Sequence, residues 1–511
     1  MAHTPRDRRA FLKVAGAGAA AAAFDHGIAQ AAPPAAQAPA SSADDLCFMS
    51  ARELASLIRT RAVSAREVMA AHLTRIGRVN PTINAIVAKL DDTACLALAD
   101  AADARLARKE AVGPLHGLPT AFKDLQPAVG FPFTRGSTIF RNAMPEADSV
   151  LVERIRNAGA IPIGKTNTPE FGLGSHTYNK VYGTTINPYD RTKSAGGSSG
   201  GAAAALATGM MPIADGSDMG GSLRNPGNFN NVVGMRPTVG LVPSAPNPLP
   251  LLGFAVVGPL ARSVADVAFI LSVTAGADPR DPGSYPSDPS VFTGRLEREF
   301  RGVRVAWCPD LGGLPLDPRV RTVLDAQRAT FEALGCIVDD VSPDLRSADS
   351  VFLTIRAFRS AITLGPLLTQ FRDQLKPEAV QEIEAGLRLT SGAVAQALAD
   401  HGQLLERMRR FQDTYEFTLC AVNQVPPFDA TLDWPKAIDG VPMDHYVAWM
   451  KSAYWITATF RPAISVPAGF TTDGLPVGLQ IVGRHRADFP VLQLAHAFEQ
   501  ATGFGRRRPL V

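Results

Sequence analysis

The sequence predicts one large α/β domain in which helices cover a central, largely buried β-sheet. Its 511 residues, 46% hydrophobic and 19% charged, have ordinary globular composition and suffice to bury a sizeable core. Between residues 115 and 264, short apolar runs alternate with helical patterns, which favours a sheet packed against helices. No fixed-period repeat and no clean linker follow residue 45, so one domain is expected despite the length.

The N-terminus has the pattern of a twin-arginine export signal. Arg8 and Arg9 precede a short apolar run over residues 14–24, and a small-residue cleavage pattern ends at Ala31. The run is too short for a membrane span, which needs about 20 apolar residues. We therefore expect a periplasmic or secreted protein with no stable membrane span once the signal is removed.

The segments that follow are assigned from composition and periodicity. Residues 1–31 are predicted to be the signal peptide and residues 32–44 a Pro/Ala-rich linker. A helical lead-in begins near Asp45, where Ser50 and Glu53 have the spacing of a capping box and Ser64 opens a second helix.

Beyond the lead-in, apolar runs predict strands and periodic patterns predict helices. The stretch 285–460 is predicted to be mostly helical with loops. The remaining predictions are a strand at 118–122, a helix at 149–158, a strand at 161–163, a helix at 202–207 capped by Gly209, and strands at 463–467 and 477–482.

Charge and cysteine content exclude several functional classes. The net charge is +3 from 51 basic and 48 acidic residues, without a dense basic stripe, so we expect a small-molecule partner and no nucleic acid. The five cysteines are odd in number and lack CxxC spacing, which disfavours a zinc site and a disulfide framework. Most are expected to be buried thiols, and no metal or cofactor is predicted.

Residues 159–166 match the P-loop pattern GxxxxGK[ST], but their context argues against nucleotide binding. A P-loop follows a strand and precedes a helix, so that backbone N–H groups can surround phosphates. Here a helix precedes the motif, its four central residues are apolar and strand-like, and Pro169 follows shortly. We interpret the segment as a turn leading into a core strand.

Residues 196–200 match GxSxG, the nucleophile elbow of α/β-hydrolases. The elbow must follow a strand, yet residues 187–194 are polar turn sequence. An elbow also needs a downstream histidine, and no histidine stands in a setting that singles it out; the candidates are His401, His445, His485 and His496.

Two glycine-rich segments, 196–201 and 218–226, place small residues around two serines. Glycine allows a backbone to approach a substrate closely or to adopt positive φ. A flexible linker would have similar composition, but the alanine-rich helix between the segments argues against a linker.

These segments, with GLPTAFKDL at 117–125, resemble the amidase signature family. The likeness extends over residues 45–511, is densest at 113–266, and returns in a C-terminal block at 461–499; residues 285–460 are the variable region. The resemblance implies the amidase signature fold, with a central mixed β-sheet covered by helices on both faces. The three motifs occur in the family's order, which makes the match specific.

The resemblance also implies a catalytic triad. Lys123 would be the base, Ser198 a relay residue commonly held by a cis peptide, and Ser222 the nucleophile. Backbone N–H groups of residues 219–222 would stabilise the oxyanion, namely those of Met219, Gly220, Gly221 and Ser222. The supporting residues would be Ser199, Asp218 and Arg224, the last two as a pair that braces the loop.

Two departures from the family's usual text limit the transfer of substrate preference. Ser217-Asp218-Met219 stands where Thr-Asp-Thr is usual, and Phe229-Asn230-Asn231 replaces Phe-Cys-Gly. Neither change removes a catalytic group.

The chemistry sets a condition on Lys123, which can act as a base only when neutral. Its ordinary pKa is about 10.4, so a working pKa near 7 or 8 requires burial. The apolar neighbours Phe122 and Leu125 are consistent with burial.

The expected activity is hydrolysis of a carboxylic amide, apolar or aryl in character, to acid and amine through an acyl-enzyme. Aromatic residues of the variable region are candidates for a substrate pocket, although core packing explains them equally well: Trp434, Tyr446, Trp449 and Trp455. Ester or carbamate hydrolysis by the same triad is the alternative. A component of an amidotransferase and a catalytically idle binding protein are disfavoured, and a homodimer is left open.

Overall fold

The computed structural model describes residues 43–511. The predicted signal peptide and nearly all of the predicted linker lie outside the described residues. The described part belongs to one compact unit.

Within residues 43–511 the helices are numbered in chain order. They are α1 Ala43–Phe48, α2 Ala51–Thr60, α3 Ala65–Ile83, α4 Asp92–Ala107, α5 Val150–Asn157, α6 Gly200–Ala207, α7 Arg224–Phe229, α8 Val264–Thr274, α9 Pro318–Asp325, α10 Arg328–Ala333, α11 Ala348–Phe371, α12 Pro377–Leu387, α13 Ser391–Thr414, α14 Lys451–Ala458 and α15 Asp488–Thr502.

The strands are numbered in the same way. They are β1 Ile86–Val87, β2 Pro119–Lys123, β3 Ile161–Thr166, β4 Tyr178–Asn179, β5 Gly183–Thr184, β6 Ala214–Asp218, β7 Val233–Arg236, β8 Val256–Ala261, β9 Arg304–Trp307, β10 Ile337–Asp340, β11 Phe417–Ala421, β12 Ala437–Ile438, β13 Val441–Pro442, β14 Ala463–Phe470 and β15 Pro476–Val482.

The core is a mixed eight-stranded sheet, which confirms the predicted fold class. Its strand order is β10-β9-β11-β15-β14-β7-β8-β6. The first three strands are mutually parallel, and the remaining pairs are antiparallel. Helices α7, α9 and α15 pack on β14, while α6 and α8 pack on β8.

The strand that carries Lys123 does not belong to this sheet. β2 pairs in parallel with β3, and β3 pairs with β1, so these three strands form a separate small sheet. The predicted strands at 118–122 and 161–163 therefore exist, but outside the central sheet where the alternating pattern had suggested them.

The helical lead-in follows its sequence signals. Ser50 and Ser64 each form a complete capping box with the glutamate three residues later, so α2 and α3 begin where predicted. Ser149 caps α5 in the same region of sequence as the predicted helix. Gly209, at φ 72°, follows the end of α6.

The P-loop pattern at 159–166 is confirmed as a turn and a core strand. Gly159 follows α5, and Gly164, Lys165 and Thr166 are buried residues of β3. No α-helix follows β3 directly to present N–H groups to a phosphate, because residues 167–169 are non-helical and only a three-residue 3-10 turn comes after them.

The prediction for 285–460 was incomplete. Besides its helices, this stretch supplies β9, β10 and β11, which form one end of the central sheet. β10 runs along the edge with exposed and half-buried residues, so its sequence lacks a clear apolar run. The C-terminal block behaves as predicted, since β14 and β15 lie at the centre of the sheet.

One helical stretch among the described residues, Ala348–Gln374, is long and apolar enough by length and composition to cross a membrane. Its residues Val351, Phe352 and Ile355 are buried, and α11 packs along α12, α13 and α14. Burial among other helices accounts for the apolar composition.

The five cysteines are all buried and free. Among the described residues, no group of three or more His, Cys, Asp or Glu side chains could hold a metal ion.

Candidate active site

Lys123 lies at the end of β2 and is fully buried. Its Nζ donates hydrogen bonds to three serine hydroxyls: Ser198 Oγ at 2.7 Å, Ser199 Oγ at 2.9 Å and Ser217 Oγ at 2.9 Å. The structure thus brings the first glycine-rich segment, and Ser217 immediately before the second, to the amine of Lys123, from which they are about 75 to 95 residues apart in sequence.

Two neighbouring strands fix the position of Lys123. On one side Lys123 pairs with Thr166 of β3. On the other side its backbone N–H donates to Asp215 Oδ1 at 3.0 Å. A side chain of β6 therefore accepts the hydrogen bond that the backbone of a neighbouring strand would otherwise accept. The small sheet and the edge of the central sheet are joined at the residue that carries the amine.

Burial changes the protonation of this cluster. Loss of solvent lowers the pKa of Lys123 to about 7, and the attraction of Asp215 and Asp218 offsets only part of that effect. Burial likewise raises the pKa of Asp215 to about 6 and lowers that of the adjacent Lys165 to about 8. At neutral pH a substantial fraction of Lys123 is therefore the free amine, the form that can accept a proton.

The serine segment 196–201 enters α6. The peptide bond between Gly197 and Ser198 is cis, as the family resemblance implied. Ser199 precedes the first turn of α6, and its backbone N–H donates to the carbonyl of Ser222 at 3.3 Å, so the two glycine-rich segments lie side by side.

Glycine is required in the second segment at Gly221. Its φ is 108°, in the left-handed region, and a Cβ there would lie 2.5 Å from Asn225 Oδ1 and 2.6 Å from the Cβ of Ala453. A side chain would therefore displace both neighbours and the adjoining Ser222.

A buried carboxylate holds this segment in place. Asp218 accepts from Arg224 at 2.9 and 3.0 Å, and Arg236 lies 3.4 Å away. The same carboxylate accepts from the backbone N–H groups of Gly221 at 3.0 Å and Leu223 at 3.1 Å. Burial alone would raise the pKa of Asp218, but the two guanidinium groups and these N–H donors hold it well below its usual range.

The contacts of Asp218 bear on the four candidate oxyanion donors. Met219, Gly220 and Ser222 line a cavity, whereas the N–H of Gly221 is directed to the Asp218 carboxylate. In this structure the Gly221 N–H is engaged by Asp218, and the oxyanion role of the four N–H groups stays a prediction.

The cavity measures about 280 Å³ and contains Ser198, Ser217 and Ser222 in its wall. Ser222 is 8% exposed and Ser198 is 2% exposed, so both lie in the cavity wall with little exposed surface. Among the described residues, no histidine lines the cavity. The apolar part of the wall comes from residues such as Leu125, Phe171, Leu173, Leu364 and Met450.

The four aromatic residues predicted for a substrate pocket do not line this cavity. Trp449 is buried against Phe229 and Phe428, with ring centroids 6.1 and 5.2 Å apart. Trp455 Nε1 donates to Asp349 at 3.2 Å. Neither residue lines the cavity that contains Ser222, and the pocket role predicted for them stays a prediction.

The other two aromatic residues also lie outside the cavity. Tyr446 is buried, and its hydroxyl donates to Glu382 at 2.7 Å. The Lys436 ammonium lies 3.4 Å from the ring centroid of Trp434, which lines a separate small cavity together with Tyr446. A run of aromatic residues in sequence could not distinguish core packing from a binding wall.

Sequence reasoning missed three residues that contact the site: Asp215, Ser217 and Arg236. Ser217 was noticed only as a departure from the family's text, yet it accepts a hydrogen bond from Lys123. Arg236 donates to the backbone oxygen of Asp218 from β7, and no local motif marks it. Asp215 lies three residues before Asp218, but its contact with Lys123 depends on strand packing.

The comparisons with known proteins define the class of the protein. The family model described as Amidase matches residues 67–492. An acylamidase of Rhodococcus erythropolis is 35% identical over 468 residues, which cover 91% of this chain and 98% of that protein. The protein is therefore an enzyme that hydrolyses amide C–N bonds.

Two further relatives extend the comparison. A crystal structure of a bacterial aryl acylamidase of the amidase signature family superposes with a TM-score of 0.85 at 27% identity, covering 91% of this chain and 99% of that chain. A component of the glutamyl-tRNA(Gln) amidotransferase of Geobacillus thermodenitrificans (strain NG80-2) is 32% identical over 487 residues, 90% of this chain and 98% of that protein. The chain belongs to the amidase signature family.

Proposed function

We propose that this enzyme hydrolyses an apolar or aryl carboxylic amide to acid and amine through an acyl-enzyme on Ser222, with Lys123 as base and Ser198 as proton relay. The observation that carries the proposal is the buried Lys123 amine, with a pKa of about 7, hydrogen-bonded to Ser198 beside a cavity that Ser222 lines. The acylamidase and aryl acylamidase relatives support the amide class.

The hydroxyl arrangement suits a neutral amine. A neutral amine has two N–H groups and one lone pair, and Lys123 has three hydroxyl oxygens within 2.9 Å. Ser199 and Ser217 can accept the two N–H groups, which leaves the lone pair to accept the Ser198 proton. A hydroxyl can donate and accept at once, so Ser198 can take a proton from Ser222 while giving its own to Lys123.

The reaction then proceeds in balanced steps. Ser222 Oγ bonds to the amide carbon as its proton passes through Ser198 to Lys123, and the carbonyl oxygen becomes an oxyanion. N–H groups in the 219–222 segment would stabilise that charge, each worth about 10²- to 10³-fold in rate. The proton returns to the nitrogen as the C–N bond breaks, and water then hydrolyses the acyl-enzyme by the same route.

The test is the variant Ser222→Ala, with Ser56→Ala as control because Ser56 is an exposed serine of α2. Loss of the nucleophile should lower kcat for hydrolysis of an anilide such as butyranilide by about 10⁴-fold or more. A fluorophosphonate probe should label the wild type and Ser56→Ala but not Ser222→Ala. Retained labelling and turnover in Ser222→Ala would remove Ser222 from the role of nucleophile.

A second activity uses the same groups. Esters and carbamates present a similar carbonyl to Ser222, so the enzyme is also a candidate esterase or carbamate hydrolase. Matched phenyl butyrate and butyranilide, compared by kcat/KM, rank the two activities. The amidotransferase relative raises a third, ammonia release for a partner enzyme, which hydrolysis of butyranilide by the purified chain alone would disfavour.

A further inference from the structure

Helix α11 forms one part of the cavity wall. Five of its residues line the same cavity as Ser222: Arg356, Arg359, Ser360, Thr363 and Leu364. Two of the five are arginines, in a wall that otherwise mixes polar and apolar side chains.

The two arginines differ in their partners. Arg356 is buried, and its Nε lies 2.9 Å from Glu382 Oε1 while its guanidinium also donates to the Tyr446 hydroxyl. Its charge is therefore balanced within the protein. The acidic residue that lines the cavity, Asp218, is balanced in the same way by Arg224 and Arg236.

The positive charge of Arg359 is not paired with a carboxylate of the described residues. Among residues 43–511, no aspartate or glutamate forms an ion pair with Arg359, and burial is what lowers the pKa of its guanidinium. An arginine side chain keeps its charge at neutral pH in proteins. The cavity wall therefore carries one positive charge, partly withdrawn from solvent, that no carboxylate of the described residues neutralises.

We propose that Arg359 binds a carboxylate of the substrate, so that among aryl amides the preferred substrates are small ones that carry a carboxylate away from the scissile bond. The guanidinium presents a planar fork of N–H donors that matches a carboxylate in bidentate geometry. Ser360, the adjacent polar residue of the wall, adds a hydroxyl donor. This inference rests on the proposed amide hydrolysis at Ser222 and specifies its substrate class.

The size of the cavity limits the substrate further. At about 280 Å³ it lies near the lower end of the range for small-molecule sites, about 300–1,000 Å³. An amide of about a dozen heavy atoms with one carboxylate fits such a space. The carboxylate could belong to the acyl group or to the amine, and both sources share the chemistry that Arg359 recognises.

Two matched pairs distinguish the sources. N-phenylsuccinamic acid and butyranilide differ by a carboxylate on the acyl side, and N-benzoylglycine and N-ethylbenzamide differ by a carboxylate on the amine side. We expect the wild type to prefer the acid of at least one pair by about 10- to 100-fold in kcat/KM, the range for hydrogen bonds to a charged group. The neutral members report hydrolysis at Ser222 independently of the carboxylate.

The variant Arg359→Gln should bring the ratio of kcat/KM for the acid to kcat/KM for its neutral partner close to 1. The loss of kcat/KM should be confined to the acid and appear mainly as a higher KM. Arg359→Lys keeps the charge without the fork and should give an intermediate ratio. Arg372→Gln, which alters a half-exposed arginine paired with Glu384 outside the cavity, should keep the wild-type ratio.

The outcomes separate the two proposals. If wild type hydrolyses butyranilide, loses that activity in Ser222→Ala, and shows no preference for either acid, the role of Arg359 is overturned while the amide activity stands. An equal loss on both members of a pair in Arg359→Gln also overturns it, because that indicates a structural role. If Arg359→Gln does not fold, the wild-type ratios and Arg359→Lys decide the matter alone. No hydrolysis of any of the four amides would count against the proposed function itself.

Discussion

Two regions near the cavity are built in different ways: the region around Lys123 and Ser222, and the group of helices α11 to α14. In the first region, β2, β6 and the two glycine-rich segments hold Lys123 and Ser222 by hydrogen bonds, and the buried Asp218 charge is paired with Arg224 and Arg236. In the second region, α11 to α14 pack through aromatic and aliphatic side chains, and Arg359 of α11 lines the cavity with no carboxylate partner among residues 43–511. The comparison indicates that changes in the first region alter the rate for every substrate, whereas changes in the cavity-lining part of the second alter the choice of substrate.

The largest effect short of removing the nucleophile is expected from Lys123→Met, which keeps much of the apolar stem and removes the base. Loss of the base should lower kcat/KM by about 10²- to 10⁴-fold for every amide tested. In the wild type, kcat/KM should rise as the pH increases through about 7, because the neutral amine is the active form and its pKa is about 7. The pH profile from 5 to 9 checks both statements. A variant that kept the wild-type midpoint would show that another group is the base.

A smaller effect, on stability, is expected from Asp218→Asn. The substitution keeps the shape but leaves the guanidinium groups of Arg224 and Arg236 buried without their carboxylate, which typically costs about 3–5 kcal/mol. Urea denaturation at pH 7 measures the change in the free energy of unfolding.

The matched control for that variant is Asp100→Asn. Asp100 pairs with Arg66 on the surface, with both side chains about half exposed, and should change stability by less than about 1 kcal/mol. If Asp218→Asn were as mild as this control, the carboxylate would not be what holds the 219–222 segment.

The smallest effect is expected from Trp449→Phe, next to α14 of the second region. Trp449 is buried among aromatic rings, and its Nε1 donates to the Tyr446 carbonyl at 3.0 Å. Loss of ring volume and of that hydrogen bond should cost about 1–2 kcal/mol of stability. The ratio of kcat/KM for aryl and alkyl amides should stay within about threefold of wild type. A larger change in that ratio would return Trp449 to the substrate pocket and weaken the distinction between the two regions.

Local signals in the sequence predicted much of the fold. The capping boxes at Ser50 and Ser64 mark helix starts because they satisfy backbone groups within four residues. The apolar runs of β14 and β15 predict strands because both are buried at the centre of the sheet. β9 and β10 escaped prediction, since short strands near the edge of a sheet carry little periodicity.

The residues of the candidate site also divide into those that a local motif marks and those that it does not. Lys123, Ser198 and Ser222 stand in motifs whose glycines and order could be read directly, although their catalytic roles stay predictions until the variants are made. The twin-arginine export signal, outside the described residues, also stays a prediction. Asp215, Arg236 and Arg359 have no motif, and their significance arises from contacts with residues tens to hundreds of positions away or from the absence of an ionic partner within the described part of the chain.

The sequence by itself determined the chemical class, because the backbone demands of the glycine-rich segments and the identity of a lysine and two serines are local properties. Tertiary structure alone decided the protonation of Lys123 and which residues line the cavity. The pKa of Lys123 falls to about 7 only because folding removes water from it, and Arg359 and Ser222 line one cavity only because the fold brings α11 to it. Desolvation and the pairing of charges depend on which distant segments pack together, and no short stretch of sequence contains that information.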